Sequence, residues 1–287
     1  MPAPTLTNCE SQMFYSLHVV PKLNSNDPAV GIVVNAIARA AEIVGIPVVD
    51  RKDIQPSTLI VAVGGDGTML EALRLAARHD ATALGANMGN VGFLTEVSVA
   101  FRHRDSVEML FVSILKGDVD TFVDERTVLT TSHSEQLACN EVSVSQMYSD
   151  SMITYHLRVG QMNAGIHRAN SLLVSTATGS TAYSLSAGGA LMMPNINALQ
   201  IVPVAPITMT SRPIIVGTDT KVIVDVWGKG VAVRNDGQIA FSSDHEYTKD
   251  NPFSIEIRPY ITKAKMLHLA GWNYFNILTE KLGWISR

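Results

Sequence analysis

Charge is scarce in this sequence, cysteine scarcer still, and long apolar runs are missing. Only 17% of the 287 residues are Asp, Glu, Lys or Arg, the formal net charge is −4, and no basic run occurs. The electrostatic footprint of a nucleic-acid-binding protein is therefore lacking. A mildly acidic total still permits positive loops, so an anionic substrate stays open. Cys9 and Cys139 are the only cysteines, and neither a CxxC pair nor a His cluster accompanies them. That argues against a disulfide framework or structural zinc and for two thiols in a reducing compartment. No window reaches the ~18 uninterrupted apolar residues of a membrane span. The N-terminal stretch MPAPTLTNCESQ has neither the basic n-region nor the apolar h-region of a signal peptide. Ser-His-Asp spacing, HExxH and the GxxxxGK[ST] P-loop are absent as well. The expectation is a soluble, cytoplasmic protein with no membrane and no nucleic-acid partner.

What is present is an apolar composition, 46% hydrophobic, in a chain long enough for one large domain or two ordinary ones. The stretch Val61 to Leu70, VAVGGDGTML, is the most informative. An apolar run ends in Gly64-Gly65-Asp66-Gly67, and a helix is expected at once, with Thr68 and Glu71 at capping-box spacing. Three glycines permit close approach of a ligand, and free N–H groups with the helix dipole favour phosphate. Asp66 would repel phosphate, so it should serve another reactant, most simply as a proton acceptor. A tight strand-to-helix turn that uses Gly and Asp for geometry alone is the other reading.

Around this stretch the first half alternates strands and helices. Phe14 to Val20 reads as a strand. Asp27 and Pro28 mark a helix start, and Val30, Val33, Val34, Ile37, Ala41 and Val44 share one helical face up to a stop at Gly45. Pro47-Val48-Val49 and Leu59 to Val63 read as strands, Thr68 to His79 as a helix with Leu70, Leu73 and Ala77 inward, and Ala83 to Gly85 as another strand. That pattern predicts a parallel sheet with flanking helices, whose ligands sit beyond the carboxyl ends of the strands. Gly85 to Thr95, GANMGNVGFLT, is a second glycine-bearing loop at the same edge: either a plain connection, or a cleft wall with Asn87 as polar contact and Phe93 as a surface for a flat ring. A helix is expected from Val97 to Lys116. The pattern then turns mainly antiparallel β, with strands at Arg126 to Thr131, Asn140 to Ser145, Met152 to Val159, Lys221 to Trp227 and Phe253 to Arg258, and a helical insertion at Ser184 to Met193. Trp272 to Trp284 reads as a tail returning to the first domain.

Several segments could carry chemistry. Asn140-Glu141 heads a strand; Asn offers the donor and acceptor an adenine or carboxamide edge needs, and Glu can accept from ribose hydroxyls, although an ordinary polar pair is the simpler reading. Ser175 to Tyr183, STATGSTAY, holds six hydroxyl-bearing residues in nine, suited to an oxygen-rich ligand or else to a surface loop. Tyr183 could stack on a ring or pack as a core aromatic. Asp236-Gly237 signals a two-residue hairpin turn. Arg168 could be a surface residue or a phosphate contact.

Taken together, the chain resembles the NAD kinase family. The matching features are GGDGTML at Gly64 to Leu70, NMGNVGFLT at Asn87 to Thr95, NE at Asn140 and Glu141, STATGSTAYSLSAGGA at Ser175 to Ala190, SRP at Ser211 to Pro213, and DGQ at Asp236 to Gln238. GGDG alone is shared with lipid kinases and phosphofructokinases; GGDG followed by NE and TGSTAY is specific. The resemblance implies an α/β N-terminal domain (1–122, with 268–287 packing back on it) and a β-rich NAD-binding and oligomerisation domain (123–267). It implies transfer of the terminal phosphoryl of ATP, or of polyphosphate, to the 2′-hydroxyl of the adenosine ribose of NAD, with Mg²⁺ or another divalent cation whose ligands it leaves unassigned. Asp66 would be the general base. Gly64, Gly65, Gly67, Thr68 and Asn87 would meet the donor phosphates. Asp66, Gly67, Phe93, Asn140, Glu141, Asn170, Thr178, Thr181, Ala182, Tyr183, Ser186 and Gln238 would meet NAD, joined by Arg168 and Ala205 from a neighbouring subunit of a homodimer or homotetramer. The family usually has Asp-Gly where this chain has Asn170-Ser171, which bears on the nicotinamide end and on NAD against NADH. That departure is the one feature pointing to the alternative, a non-catalytic NAD(P)-binding regulatory relative.

Overall fold

The computed structural model describes residues 13–23, 27–89, 92–99, 103–147 and 151–284. Cys9, loop residues 24–26, Asn90 and Val91 of the second glycine loop, and residues 100–102 of the expected long helix lie outside the described residues. The chain divides into two compact units, Met1–Glu125 with Ala264–Arg287, and Arg126–Lys263.

The first unit opens with β1 (Ser16–Pro21) and α1 (Pro28–Val44), then β2 (Thr58–Gly64), α2 (Asp66–His79), β3 (Thr82–Asn87), the two-residue β4 (Val97–Ser98), α3 (Arg104–Lys116) and β5 (Thr121–Arg126). α1 starts and stops where its sequence says. Asp27 accepts the Ala29 N–H at 2.9 Å, Pro28 takes the first turn, and Gly45 ends the helix at φ 77. β1, β2 and β3 run parallel, and every residue of β2 is buried, as expected for a central strand covered on both faces. Leu59, Val61 and Val63 of β2 share one core with Val33 and Ile37 of α1 and Phe111 of α3.

The second unit contains β6 (Leu129–Thr131), β7 (Ser134–Ala138), β8 (Glu141–Gln146), β9 (Ile153–Val159), β10 (Met162–Ala169), β11 (Ser171–Thr176), α4 (Tyr183–Ser186), β12 (Ala198–Val204), β13 (Ile214–Gly217), β14 (Val222–Asn235), β15 (Gln238–Tyr247) and β16 (Phe253–Pro259). Among the described residues its strand pairs are antiparallel. β14 organises them. Val222 to Val226 pairs with β9 and β16, whereas Val231 to Asn235 pairs with β8 and β15. The change of partners falls at Gly228 and Gly230, whose φ values of 128 and 73 favour glycine. The alternation in β9, with Ile153, Tyr155, Leu157 and Val159 all buried, faces the core of this unit.

The chain then returns to the first unit as β17 (Ala264–Leu269), parallel to β3 and seated between β3 and β5, followed by α5 (Tyr274–Leu282). α2 packs on β2, β3 and this returning strand. His268 of β17 is fully buried. Its Nδ1 lies 2.6 Å from Glu96 Oε2, and Glu96 Oε1 accepts the Leu269 N–H at 2.7 Å. The imidazole is stacked on Phe122 and lies 4.1 Å from the Trp272 ring, centroid to centroid. The expected tail, Trp272 to Trp284, holds α5 and belongs to the first unit, and the strand just before it, β17, enters the sheet itself.

Four local expectations are corrected. Pro47-Val48-Val49 makes only a single bridge, Val48 to Leu17, because Pro47 lacks a donor. Val97 begins a short strand, and the helix starts at Arg104. The Ser184 to Met193 insertion is one turn, Tyr183–Ser186, cut off by Gly188 at φ 86 and Pro194. Arg126 to Thr131 is two strands rather than one.

Removing the α1 cap by Asp27→Ala should cost about 1 kcal/mol in denaturant unfolding. His268→Leu, which takes the imidazole from the half-buried Glu96 and leaves it only the Leu269 N–H, should cost more, about 2 kcal/mol. Equal unfolding midpoints for both variants and wild type would contradict this picture.

Candidate active site

In the first unit β2 ends at Gly64 and α2 begins at Asp66, with Gly65 as an extended cap residue. No side chain caps this helix, so the expected Thr68–Glu71 capping box does not form. Asp66 itself occupies the first helical position. The Thr68 side chain folds back over Gly64, where any β-carbon would collide with its hydroxyl. Glu71 turns away to Arg74 and Arg51, at 3.0 and 2.9 Å. Burial pushes Glu71 up, but hydrogen bonds and charge from Arg74 and Arg51 outweigh it and hold the carboxyl below its ordinary value. The vacant cap leaves the Asp66 and Gly67 N–H groups without a side-chain cap, while the Thr68 N–H turns back to Gly65 C=O at 3.0 Å. Gly65 and Gly67 are exposed, and a β-carbon on either would meet open space. This is an open helix N-terminus of the kind that accepts anions.

The Asp66 carboxylate points into the second glycine loop. It accepts the N–H of Phe93 at 2.9 Å and of Leu94 at 3.0 Å, with the Thr95 hydroxyl at 3.5 Å. Gly92 lies so close that a β-carbon would overlap the carboxylate, and Gly85 must lack one because Thr95 Cα would be 2.9 Å from it. Asn87 is 1% exposed and accepts the Gly89 N–H at 2.8 Å; its side chain shapes the loop. Phe93 is half-buried.

In the second unit, Asn140 and Glu141 stand at the head of β8. The expected hairpin is present: Asn235 pairs with Gln238 around Asp236-Gly237, at φ 49 and 79, the positive pair that a two-residue hairpin turn requires. The tip of this hairpin does more than turn. Asp236 accepts the N–H groups of Cys139 at 2.9 Å, Asn140 at 2.7 Å and Glu141 at 3.2 Å, and its own N–H donates to Glu141 C=O at 3.0 Å. Gly179 presses on the backbone of Asn140, where a β-carbon would overlap the carbonyl. Glu141 is 6% exposed, and its Oε2 has no hydrogen-bond partner among the described residues. Burial, with the negative charge of Asp236, pushes its carboxyl up to about 7. An unpartnered buried oxygen of this kind is rare in folded proteins.

The hydroxyl-rich segment is largely occupied with its own folding. Thr176 donates to Cys139 C=O at 2.6 Å and accepts the Gly179 N–H, Ser180 bridges Ala177 C=O and the Met192 N–H, and Ser184 donates to Gln200 at 2.9 Å. Thr181 donates back to Thr178 C=O at 3.2 Å, and Thr178 is buried beside Arg126. What stays reachable is Thr181 and Ala182, half-buried, and Tyr183 and Ser186, exposed. Gln238 is exposed and accepts from Gln136 at 2.7 Å. Arg168, Asn170 and Ala205 gather at the opposite end of β11, all exposed; the Asn170 N–H donates to Val204 and the Ile207 N–H to Arg168. A six-residue strand separates the two groups, a span of about 17 Å. Cys139 is a buried thiol. The contacts that Asp236 makes with β8, and those of Gly92 with Asp66 and of Gly179 with Asn140, had no sequence signal of their own, because their partners lie well along the chain.

A parallel α/β unit with an open helix N-terminus, joined to an antiparallel β unit with a buttressed polar corner, defines a two-part α/β–β protein. That architecture is shared with two solved structures. An NAD kinase from Archaeoglobus fulgidus in complex with ATP aligns over 93% of this chain and 98% of its own, with a TM-score of 0.70 at 24% identity. A yeast NADH kinase complexed with NADH aligns over 96% and 89%, with a TM-score of 0.77 at 17% identity. At such identities the likeness is one of fold. Sequence goes further. The ATP-NAD kinase N-terminal domain family matches residues 45–112, and the ATP-NAD kinase C-terminal domain family matches residues 139–268. The NAD kinase of Pasteurella multocida strain Pm70 is 34% identical over 241 residues, 80% of this chain and 75% of the relative. The chain belongs to the NAD kinase family.

Two outcomes follow from the corner. Gly179→Ala should displace the Asn140 backbone and destabilise the second unit by about 2 kcal/mol or more, read as loss of amide-exchange protection in β8. A carboxyl with a raised folded value binds its proton more tightly folded than unfolded, so its share of stability is present below 4.5 and is lost as pH rises to about 7. Glu141→Gln should remove that slope, leaving the variant gaining on wild type across this window; parallel stability curves would contradict it.

Proposed function

We propose that the protein is an NAD kinase, an alcohol-accepting phosphotransferase that moves the terminal phosphoryl of ATP to the 2′-hydroxyl of the adenosine ribose of NAD, giving NADP. The observation that carries this reading is the open turn at Gly65, Asp66 and Gly67: an anion-accepting helix start with a carboxylate in its first position. The family relationship supports the substrate pair, and the matched families, described as ATP-NAD kinase domains, support ATP as a donor.

In this reading the first-turn N–H groups of α2, with Gly64, Gly65, Gly67 and Thr68 around them, hold donor phosphates, and Asn87 acts indirectly by shaping the neighbouring loop. Asp66 accepts the proton of the 2′-hydroxyl as it attacks, while the N–H groups of Phe93 and Leu94, donating to its carboxylate, fix it in one orientation. Asn140 reads a ring edge, Glu141 takes a ribose hydroxyl on its unpartnered Oε2, and Thr181, Ala182, Tyr183 and Ser186 supply the reachable part of the TGSTAY segment, with Phe93, Thr178 and Gln238 as further contacts. Arg168, Asn170 and Ala205 lie a strand's length from Glu141 within one subunit. We assign them to the site of a neighbouring copy, in a homodimer or homotetramer. Asn170 keeps an acceptor and gains a donor relative to the family's usual Asp, and we assign it to the nicotinamide end.

Among the described residues no group of three or more His, Cys, Asp and Glu could hold a metal ion, and both oxygens of Asp66 already accept backbone N–H groups. Mg²⁺ characteristically binds one or two carboxylates plus substrate phosphates rather than a protein cage. The donor set therefore fits a divalent cation that arrives on the triphosphate as part of the substrate, where it offsets charge on the transferring group. No helix among the described residues is long and apolar enough to cross a membrane, and we place the enzyme in the cytoplasm.

Incubation with NAD and Mg-ATP should yield NADP. Asp66→Asn should retain NAD binding in calorimetry while losing ~10²–10⁴ in turnover. Equal turnover would remove Asp66 from the base role, and NAD binding by wild type without NADP formation would favour the regulatory alternative.

A further inference from the structure

We propose that Asp236 is a positioning residue for the dinucleotide site: by gathering the backbone N–H groups of Cys139, Asn140 and Glu141, it sets the two side chains at the head of β8 in register with their ligand. The inference rests on the reading of Asn140 and Glu141 as NAD contacts.

Two features separate this role from that of a turn residue. First, the turn does not need an aspartate. Asp236 sits at φ 49, and Asn is at least as well suited to the first position of such a hairpin. What Asn cannot do is present two acceptor oxygens. Asp236 spends both, Oδ2 on Cys139 and Oδ1 on Asn140 and Glu141. Second, the hairpin tip closes on β8 from both directions, because the Asp236 N–H returns to Glu141 C=O at 3.0 Å. Gly179 fixes the other side of the same backbone, pressed against Asn140. The corner is therefore clamped between the β14–β15 hairpin and the Thr178–Thr181 turn, and only Asp236 contributes a side chain to the clamp at all three residues.

The clamp has an electrostatic consequence. Glu141 is buried with an unpartnered oxygen, and Asp236 is the nearby charge that helps raise its carboxyl to about 7. Of the elements packed on β8, β11 places Ser175 opposite Glu141 and carries no titratable side chain. On β14, Arg234 donates to Ser145 instead, and Arg126 is directed at Thr178. Cys139, next to Glu141, packs its thiol in the core. Removing the Asp236 charge should lower the Glu141 value, since one of the two raising causes disappears.

The test is Asp236→Asn in the full-length protein, assayed with saturating Mg-ATP and varied NAD across the neutral pH range. Loss of one charged acceptor from three N–H groups should raise KM for NAD about tenfold, leave KM for ATP and kcat within about threefold, and move the pH at which KM for NAD breaks downward. A merely structural role would lower the yield of folded enzyme without moving that break. An unchanged KM for NAD, or an unmoved break, in an otherwise active variant overturns the proposal alone. Wild type that neither binds NAD in calorimetry nor forms NADP overturns the dinucleotide reading beneath it.

Discussion

A carboxylate held by backbone N–H groups of a distant segment is the interaction on which each half of this molecule depends. In the first unit Asp66 holds Phe93 and Leu94; in the second Asp236 holds Cys139, Asn140 and Glu141. Charge-assisted bonds of this kind are roughly twice as strong as neutral ones and fix direction as well as distance. Each also stands where backbone must come close, which is why glycine recurs beside it: Gly92 at Asp66 and Gly179 at Asn140. The chain has few charges, and two of its carboxylates are committed to holding loops in place.

The consequence for chemistry is preorganisation. The Phe93 and Leu94 N–H groups orient Asp66; in the proposed function a hydroxyl presented to it need not wait for the side chain to find its rotamer. Glu141 is held buried with an unmet hydrogen-bonding oxygen, a cost to stability that a ligand hydroxyl would relieve. The scaffold that holds these groups includes the two halves of β14 joined at Gly228 and Gly230, and the inserted β17.

Much of the fold was legible where local physics decides it. The Asp27 cap, the Gly45 stop, the buried run of β2, the alternation in β9 and the Asp236-Gly237 turn each follow from residue type and spacing. The capping box at Thr68 was misleading because the spacing is right but Asp66 starts the helix first. The hydroxyl-rich run advertised a ligand lining, yet Thr176, Ser180 and Ser184 bond to the chain itself, since a run of small polar residues inside a core must satisfy its own donors. Asp236 read only as a turn because its partners lie almost a hundred residues earlier, and no local pattern reports a contact over that distance. Family motifs named candidate residues; the fold separates those that face outward, such as Tyr183 and Ser186, from those that hold the frame.

The central claim is the identity of the bond made: phosphorus on the 2′ oxygen of an adenosine ribose. Phosphorus NMR of the product formed from NAD and Mg-ATP tests it most directly. The account predicts a new phosphomonoester coupled to the 2′ proton, appearing in step with ADP. No new monoester, or one attached at another hydroxyl, would contradict it.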